Sequence, residues 1–154
     1  MRTTNINSNQ MKGLRDKAFV RECIKRFSAI SLANERITDI DSFLKDVIQR
    51  PAPTFYINYD TAYSKIRPII GKGSLSKSKA TTLTQLQYID LAKMVTQVMA
   101  QRKSRSITTA LAQVLVRSKA PRFYITLEHA RRLTRNIFVS SMNYRLIKRP
   151  EATI

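Results

Sequence analysis

The sequence predicts an all-α fold made of two tandem three-helix repeats, each with a short extended Pro-x-Phe-Tyr-Ile segment before its last helix. Two observations carry this prediction. Apolar residues recur every three or four positions over most of the 154 residues, which is the period of an amphipathic helix. The stretch 52–62 also returns as 120–130 at a constant offset of 68 residues, and such self-similarity indicates a unit that is built twice.

The repeated stretch has the same layout in both copies. Six of its eleven aligned pairs are identical, and a seventh keeps a negative charge. Proline enforces an extended link, Phe-Tyr-Ile favours extended backbone, and Asn58 or Thr126 is placed to cap the next helix. A structural role for the aromatic residues is favoured, as plugs between helices. The alternative is a recognition loop in which Tyr56 and Tyr124 stack on bases or on a partner's side chains.

Composition sets the predicted boundaries. The first repeat covers 12–70 and the second 83–149. The intervening segment, 71–82, holds two of the three glycines together with three serines and three lysines, which is typical of a linker. Residues 1–11 are expected to form a flexible arm and 150–154 a tail. A repeat of about 70 residues is near the lower limit for an independent core, so the copies are expected to pack on each other or on neighbours.

In the first repeat the helical pattern of apolar residues begins at Lys12. A second helix is predicted with Thr38 as its cap, and it ends before Pro51 because a residue that precedes proline is disfavoured in helical geometry. Asn58 is expected to cap the third helix, which Pro68 is expected to stop.

The second repeat follows the same plan. Thr82 or Thr84 is predicted to cap a long helix whose broad apolar face makes it the expected structural centre. The basic run 102–105 breaks this helix. Ser106 then opens a second helix, and Thr126 is placed to cap the third.

The charge balance points to an anionic partner. Twenty-eight Lys and Arg oppose ten Asp and Glu, for a formal net charge of +18, and residues 101–149 contain twelve basic residues and one acid, Glu128. Nucleic acid is the first candidate because clustered cations release counterions from phosphates; an ordinary solvated basic surface is the alternative. The candidate contacts to nucleic acid or to an acidic protein surface are Lys72, Lys77, Lys79, Arg102, Lys103, Arg105, Arg122, Arg131, Arg132, Arg135, Arg145, Lys148 and Arg149.

The cluster of Arg131, Arg132 and Arg135 lies on the last predicted helix. A structural alternative pairs it with Glu128, three and four residues before the first two arginines. One acid cannot neutralise this many cations, so partner binding is favoured.

Two familiar nucleic-acid and nucleotide motifs fit poorly. A helix-turn-helix reader uses a turn of three or four residues, whereas the connection over 118–125 has about eight. The Gly-Lys-Gly-Ser run at 71–74 lacks the spacing and the preceding strand of a Walker loop. Its lysine remains a candidate for simpler phosphate contact.

No catalytic or metal site is predicted. His129 is the only histidine and Cys23 the only cysteine, so zinc ligation within one chain is excluded, and no nucleophile, base and orienting acid can be assembled. We therefore expect no enzyme and no cofactor. One cysteine suits a reducing compartment. No run approaches the ~20 apolar residues of a membrane span, and the first ten residues lack the apolar stretch of a signal peptide.

The repeated element resembles small proteins encoded by crAss-like phages of gut bacteria. In that family a helix is followed by Pro-Arg-Phe-Tyr-(Val/Ile)-(Ser/Thr) and by a helix that opens with an acid and an alanine, and 121–126 with Glu128 and Ala130 match it. The first copy departs at Thr54 and Asn58. The resemblance implies a virion structural or accessory protein in a multi-copy assembly, located in the virion or the host bacterial cytoplasm. An intracellular DNA-binding or regulatory protein of helix-turn-helix-like type is the alternative.

Overall fold

A computed structural model describes residues 8–35, 37–71 and 82–143, with side chains at 9–35, 37–71 and 82–137. Within these residues the chain is all-helical and has no strands, which confirms the predicted all-α class. None of the helices in this part of the chain is long and apolar enough to cross a membrane. The helices are α1 (Ser8–Leu32), α2 (Ile40–Ile48), α3 (Tyr59–Gly71), α4 (Leu83–Arg102), α5 (Ile107–Arg117) and α6 (Leu127–Asn143).

Four helices begin at the predicted capping residues. In each case the side-chain oxygen of the cap accepts a hydrogen bond from the backbone N–H three residues further on, which satisfies an amide that has no partner within the helix. The donor–acceptor distances are 2.8 Å for Asn58, 3.1 Å for Thr82, 3.3 Å for Ser106 and 3.1 Å for Thr126. Local chemistry therefore determines where these helices start.

Other predicted helix ends are wrong. The cap of α2 is Asp39 and not Thr38, because its carboxylate accepts from two amides, those of Asp41 and Ser42. Helix α3 continues through Pro68 to Gly71. This proline lies in the last turn, and the carbonyl that loses its N–H partner is that of Ser64, one turn earlier. Both residues are exposed, so water can satisfy that carbonyl. Helix α1 begins at Ser8, four residues before the predicted position.

The two copies of the repeated stretch meet at one pair of residues. Ala52 and Ala120, which correspond at the offset of 68, form an isolated antiparallel bridge. The N–H of Ala52 donates to the carbonyl of Ala120 at 2.9 Å, and the N–H of Ala120 donates back at 3.0 Å. Both alanines are buried. The backbone after this bridge is not uniformly extended, because Tyr124 has a left-handed φ of 57°.

The chain forms two compact units. We call residues 1–15 and 51–124 the basic unit, and residues 16–50 and 125–154 the mixed unit. In the basic unit α3 packs against α4 and α5. In the mixed unit α6 packs against α2, while Phe27 of α1 contacts Phe43 of α2 with ring centroids 4.8 Å apart. The predicted repeats, 12–70 and 83–149, therefore each contribute helices to both units.

Each unit has its own apolar core. Helix α4, the expected structural centre, buries Ile89, Leu91, Ala92 and Val95. Together with fully buried residues of its neighbours they form the core of the basic unit. Burying one large apolar side chain contributes about 1.5–3 kcal/mol. In the basic unit the fully buried residues outside α4 include Phe55, Ile66, Leu111 and Phe123. The mixed unit fully buries Phe19, Cys23, Leu44, Val47 and Thr134.

Candidate functional site

The positive charge is concentrated in the basic unit. Its two ranges contain fifteen Lys and Arg and two acids, Asp60 and Asp90, for a formal net charge of +13. The mixed unit contains thirteen Lys and Arg and eight acids, for a formal net charge of +5. The two values add to the +18 of the whole chain. The sequence alone shows the excess as a property of residues 101–149, whereas the fold assigns most of it to one unit.

One of the two acids in the basic unit is occupied by neighbouring side chains. The hydroxyl of Tyr124 donates to Asp90 Oδ2 at 2.6 Å, and Arg122 Nε lies 3.6 Å from the same oxygen. Burial and this carboxylate raise the pKa of Tyr124, so the phenol stays protonated. Asp60, in the first turn of α3, is therefore the remaining exposed acid among the described residues of this unit.

Nine cations of the basic unit are exposed in the described part of the chain. They come from the beginning of α1, from α3, α4 and α5, and from the connections after α4 and α5. Arg15 and Arg122 are half-buried and are not counted among them. The exposed cations are Lys12, Lys65, Arg67, Lys93, Arg102, Lys103, Arg105, Arg117 and Lys119.

The connection between α4 and α5 presents three of the predicted contacts on a backbone held by hydrogen bonds. Lys103 is the C-cap, with a left-handed φ of 51°. Its N–H donates to the carbonyl of Ala100 at 3.2 Å, and the next N–H, from Ser104, donates to Met99 at 3.0 Å. This Schellman-type arrangement closes the helix end. Arg102, Lys103 and Arg105 are thus exposed cations whose positions along the loop are determined by the cap.

Arg122 has a structural environment. It lies beside Asp90, and its guanidinium carbon is 6.0 Å from the centre of the Tyr124 ring. A guanidinium over an aromatic face is attracted by the ring quadrupole. This predicted contact therefore supports the fold around Tyr124 as well as adding to the charge of the basic unit.

The arginine cluster of α6 lies in the mixed unit. Arg131 makes a bidentate pair with Asp41 of α2, with N–O distances of 2.9 and 2.6 Å. The hydrogen bonds from Arg131 hold the pKa of Asp41 below its usual value. Arg131 thus pairs across helices with Asp41, whereas the sequence alternative had paired it with Glu128. Arg132 and Arg135 are exposed.

Six of the predicted contacts lie outside the described residues. They are Lys72, Lys77, Lys79, Arg145, Lys148 and Arg149.

The single histidine and cysteine have structural surroundings. His129 Nε2 lies 3.0 Å from Asp16 Oδ2, a contact between α6 and α1 within the mixed unit. Cys23 is fully buried, and burial together with the charge of Glu22 raises the pKa of its thiol to about 12. No group of His, Cys, Asp and Glu suited to holding a metal ion occurs among the described residues.

Sequence reasoning missed several cations of the basic unit. Lys65 and Arg67 are on α3, Lys93 is on α4, and Arg117 is at the end of α5. Their signal in the sequence is only a basic residue on the polar side of an amphipathic helix, which is the pattern of any solvated helix face. Their grouping depends on which helices pack together.

Comparison with known proteins finds no match to this chain among protein-family models, curated proteins or solved structures.

Proposed function

We propose that this is a non-enzymatic protein whose basic unit binds a polyanion, in the first place the phosphate backbone of nucleic acid, without sequence preference. The observation that carries the proposal is the charge of this unit, fifteen cations against two acids, one of which is occupied by Tyr124. A duplex carries one negative charge per ~1.7 Å of axis, so such a unit gains affinity by releasing counterions.

The chemistry of the exposed residues supports backbone contact over base reading. Lys and Arg neutralise phosphates regardless of sequence, and the exposed cations of the basic unit come from all of its helices. Base reading in the major groove would need one element that places several side chains against base edges. Helix α5 ends at Arg117 and α6 begins at Leu127, so the connection is longer than that of a helix-turn-helix reader.

The biological setting that we propose is a phage virion. The protein acts there as a multi-copy structural or accessory component, and its charge faces packaged DNA or acidic shell proteins. The resemblance of the Pro-Arg-Phe-Tyr-Ile-Thr element supports this setting. A structural role also agrees with the environments of His129, which is paired with Asp16, and of Cys23, which is buried.

We further propose that the chain is one three-helix unit built twice, with the third helices exchanged. Three features support this. The caps of α3 and α6, Asn58 and Thr126, correspond at the offset of 68 and make the same hydrogen bond. Ala52 and Ala120 pair reciprocally, as equivalent residues do about a two-fold axis. Helix α3 packs with α4 and α5, whereas α6 packs with α2.

A salt titration of DNA binding tests the proposed function. The logarithm of the affinity is expected to fall with the logarithm of salt concentration, at a slope of about −0.9 per phosphate contacted, with random and genomic duplexes alike. The double variant Arg102→Gln/Arg105→Gln removes two exposed cations from the basic unit. It should reduce the magnitude of the slope by about 2.

The matched control removes two exposed cations from the mixed unit, Arg132→Gln/Arg135→Gln, and should leave the slope nearly unchanged. Equal effects of the two double variants would show that the basic unit has no special role. A response independent of salt would remove nucleic acid as the partner. A preference for defined sites would favour the regulator.

A further inference from the structure

The basic unit contains a cavity of about 220 Å³, and of the nine exposed cations of this unit only Lys12 lines it. It is lined by the beginning of α1, by the segment after the Ala52 bridge, by the first turns of α3 and α4, and by Tyr124. The cavity is smaller than the ~300–1,000 Å³ of pockets that hold drug-sized ligands. The cavity therefore has room for one ring system of a ligand and not for a whole drug-sized molecule.

Its lining combines aromatic rings with positive charge. Three tyrosines, Tyr56, Tyr88 and Tyr124, and two cations, Lys12 and Arg15, lie along it, and its lining residues include no carboxylate. Gln87 adds an amide, which has both donor and acceptor groups. Aromatic rings offer faces on which a base can stack, and the cations favour an anion beside it.

The tyrosine walls differ in how firmly they are held. Tyr124 is only 5% exposed. Its ring stacks on Phe55 at 6.2 Å between centroids, and its hydroxyl is bonded to Asp90. Its backbone is left-handed, with a φ of 57°, which is uncommon for a residue other than glycine. Tyr88 lines the cavity and is half-buried, so part of it is accessible to a ligand.

We propose that this cavity takes up the base of one nucleotide, with the base against Tyr88 and the phosphate beside the exposed Lys12. The inference rests on the proposed function, which assigns polyanion binding to the basic unit. It adds that this unit prefers a nucleotide whose base is not paired. Such a nucleotide is either free in solution or part of a single strand. A base stacked inside a duplex is closed to a cavity of this kind.

Burial raises the pKa of Tyr88, so its hydroxyl remains a neutral donor at physiological pH. With the amide of Gln87 nearby, the cavity has groups that can hydrogen-bond to a base edge.

The test measures the binding of fluorescent oligothymidylate of about 12 nucleotides, within the usual range of single-strand site sizes, and of a duplex of the same length. Tyr88→Leu removes a stacking ring and should weaken single-strand binding on the order of tenfold. Tyr88→Phe keeps the ring and should retain most of the affinity. The duplex should bind all three proteins alike.

Two controls separate a binding effect from a folding effect. Tyr63→Leu removes a half-buried tyrosine of α3 that lies outside the cavity, and it should not change single-strand binding. Lys12→Gln should reduce the magnitude of the single-strand salt slope by about 0.7, whereas Lys17→Gln, an exposed lysine of the mixed unit, should not. Lys12→Gln keeps the test decisive if Tyr88→Leu fails to fold.

A competition arm identifies the source of the nucleotide. Displacement of the oligonucleotide by ATP in the wild-type protein, lost in Tyr88→Leu, supports a site for free nucleotides. Binding of the strand with no displacement by ATP supports a site for a nucleotide within a strand. Unchanged single-strand binding in both Tyr88→Leu and Lys12→Gln overturns the inference while leaving salt-dependent duplex binding intact. Loss of binding to every polyanion in the wild type overturns the proposed function instead.

Discussion

Individual side chains in this protein are placed by partners that are distant in sequence. Arg131 pairs with Asp41, ninety residues away, although Glu128 is three residues before it. Arg122 lies beside Asp90 and over Tyr124. In both cases an arginine that the sequence predicts to contact an external anion lies beside an acid of the same chain. The positive charge left for a partner is therefore smaller than the count of Lys and Arg suggests. It is carried by other residues, among them the nine exposed cations of the basic unit.

The Asp41–Arg131 pair predicts a loss of stability in acid. Hydrogen bonds from Arg131 lower the pKa of Asp41 from its ordinary 3.8. A carboxylate with a lowered folded pKa stabilises the fold above its unfolded pKa, and this stability is lost as the pH falls through the folded value. Thermal unfolding followed by circular dichroism from pH 5 to about pH 3 should show a falling midpoint, and Asp41→Asn should flatten the fall.

The control for this experiment is Asp46→Asn. Asp46 is on the same helix, but its partner is Arg50 within α2, at 3.2 Å. Because pairs one turn apart on a helix surface contribute only ~0.3–0.5 kcal/mol, this variant should keep the acid dependence of the wild type. An identical flattening in both variants would contradict the assignment to the pair with Arg131.

At the scale of helices, capping chemistry accounts for most of the boundaries. Helices α3 and α6 begin with the same hydrogen bond, from the third helical amide to Asn58 or Thr126. Helices α1 and α4 end alike, with left-handed residues at Asn34 and Lys103. In both, the following N–H reaches back to a carbonyl five residues earlier. These devices act over a few residues and need no tertiary contact.

The caps predict a matched pair of stability effects. Asn58→Ala and Thr126→Ala should each lower the free energy of unfolding by about 1 kcal/mol, because each leaves a helical amide without its side-chain acceptor. Urea unfolding measures this loss. Thr126→Ser keeps a hydroxyl at the cap and should be close to the wild type. If Thr126→Ser were as unstable as Thr126→Ala, the loss of stability would come from the methyl group and not from the capping hydrogen bond.

At the scale of the whole molecule, helices are grouped by packing rather than by order in the chain. The basic unit takes α3 from the first predicted repeat and α4 and α5 from the second. This grouping also divides the charge, since the acids of α1 and α2 fall in the mixed unit. A chain that is basic throughout its second half thus becomes a molecule with one strongly basic unit.

Cleavage between the predicted repeats tests this grouping. A protease site placed within 72–81 should yield two fragments that stay together after cutting, because each unit needs helices from both. Size-exclusion chromatography before and after cutting measures the association, and separation is expected only in denaturant. The uncut protein with the same insertion is the control. Fragments that separate in native buffer while remaining helical would contradict the exchange of third helices.

The sequence by itself determined the all-α class, four of the helix starts and the correspondence of 52–62 with 120–130. These depend on periodicity and on hydrogen bonds between residues at most a few positions apart. The helix ends that differ from the prediction also have local causes. The carboxylate of Asp39 accepts from two amides at the start of α2, and Pro68 is tolerated because the carbonyl that it leaves without a donor belongs to the exposed Ser64.

Only the tertiary structure decided which helices share a core, which cations keep an internal acid, and that three tyrosines line one cavity. These depend on residues that are far apart in the chain, such as Asp90 with Tyr124, 34 positions apart, and Asp41 with Arg131, 90 positions apart. An amphipathic helix specifies that one face is buried but does not specify against which neighbour. The partner is selected by packing among all the helices together, so charge and cavity follow from the fold and not from the local pattern.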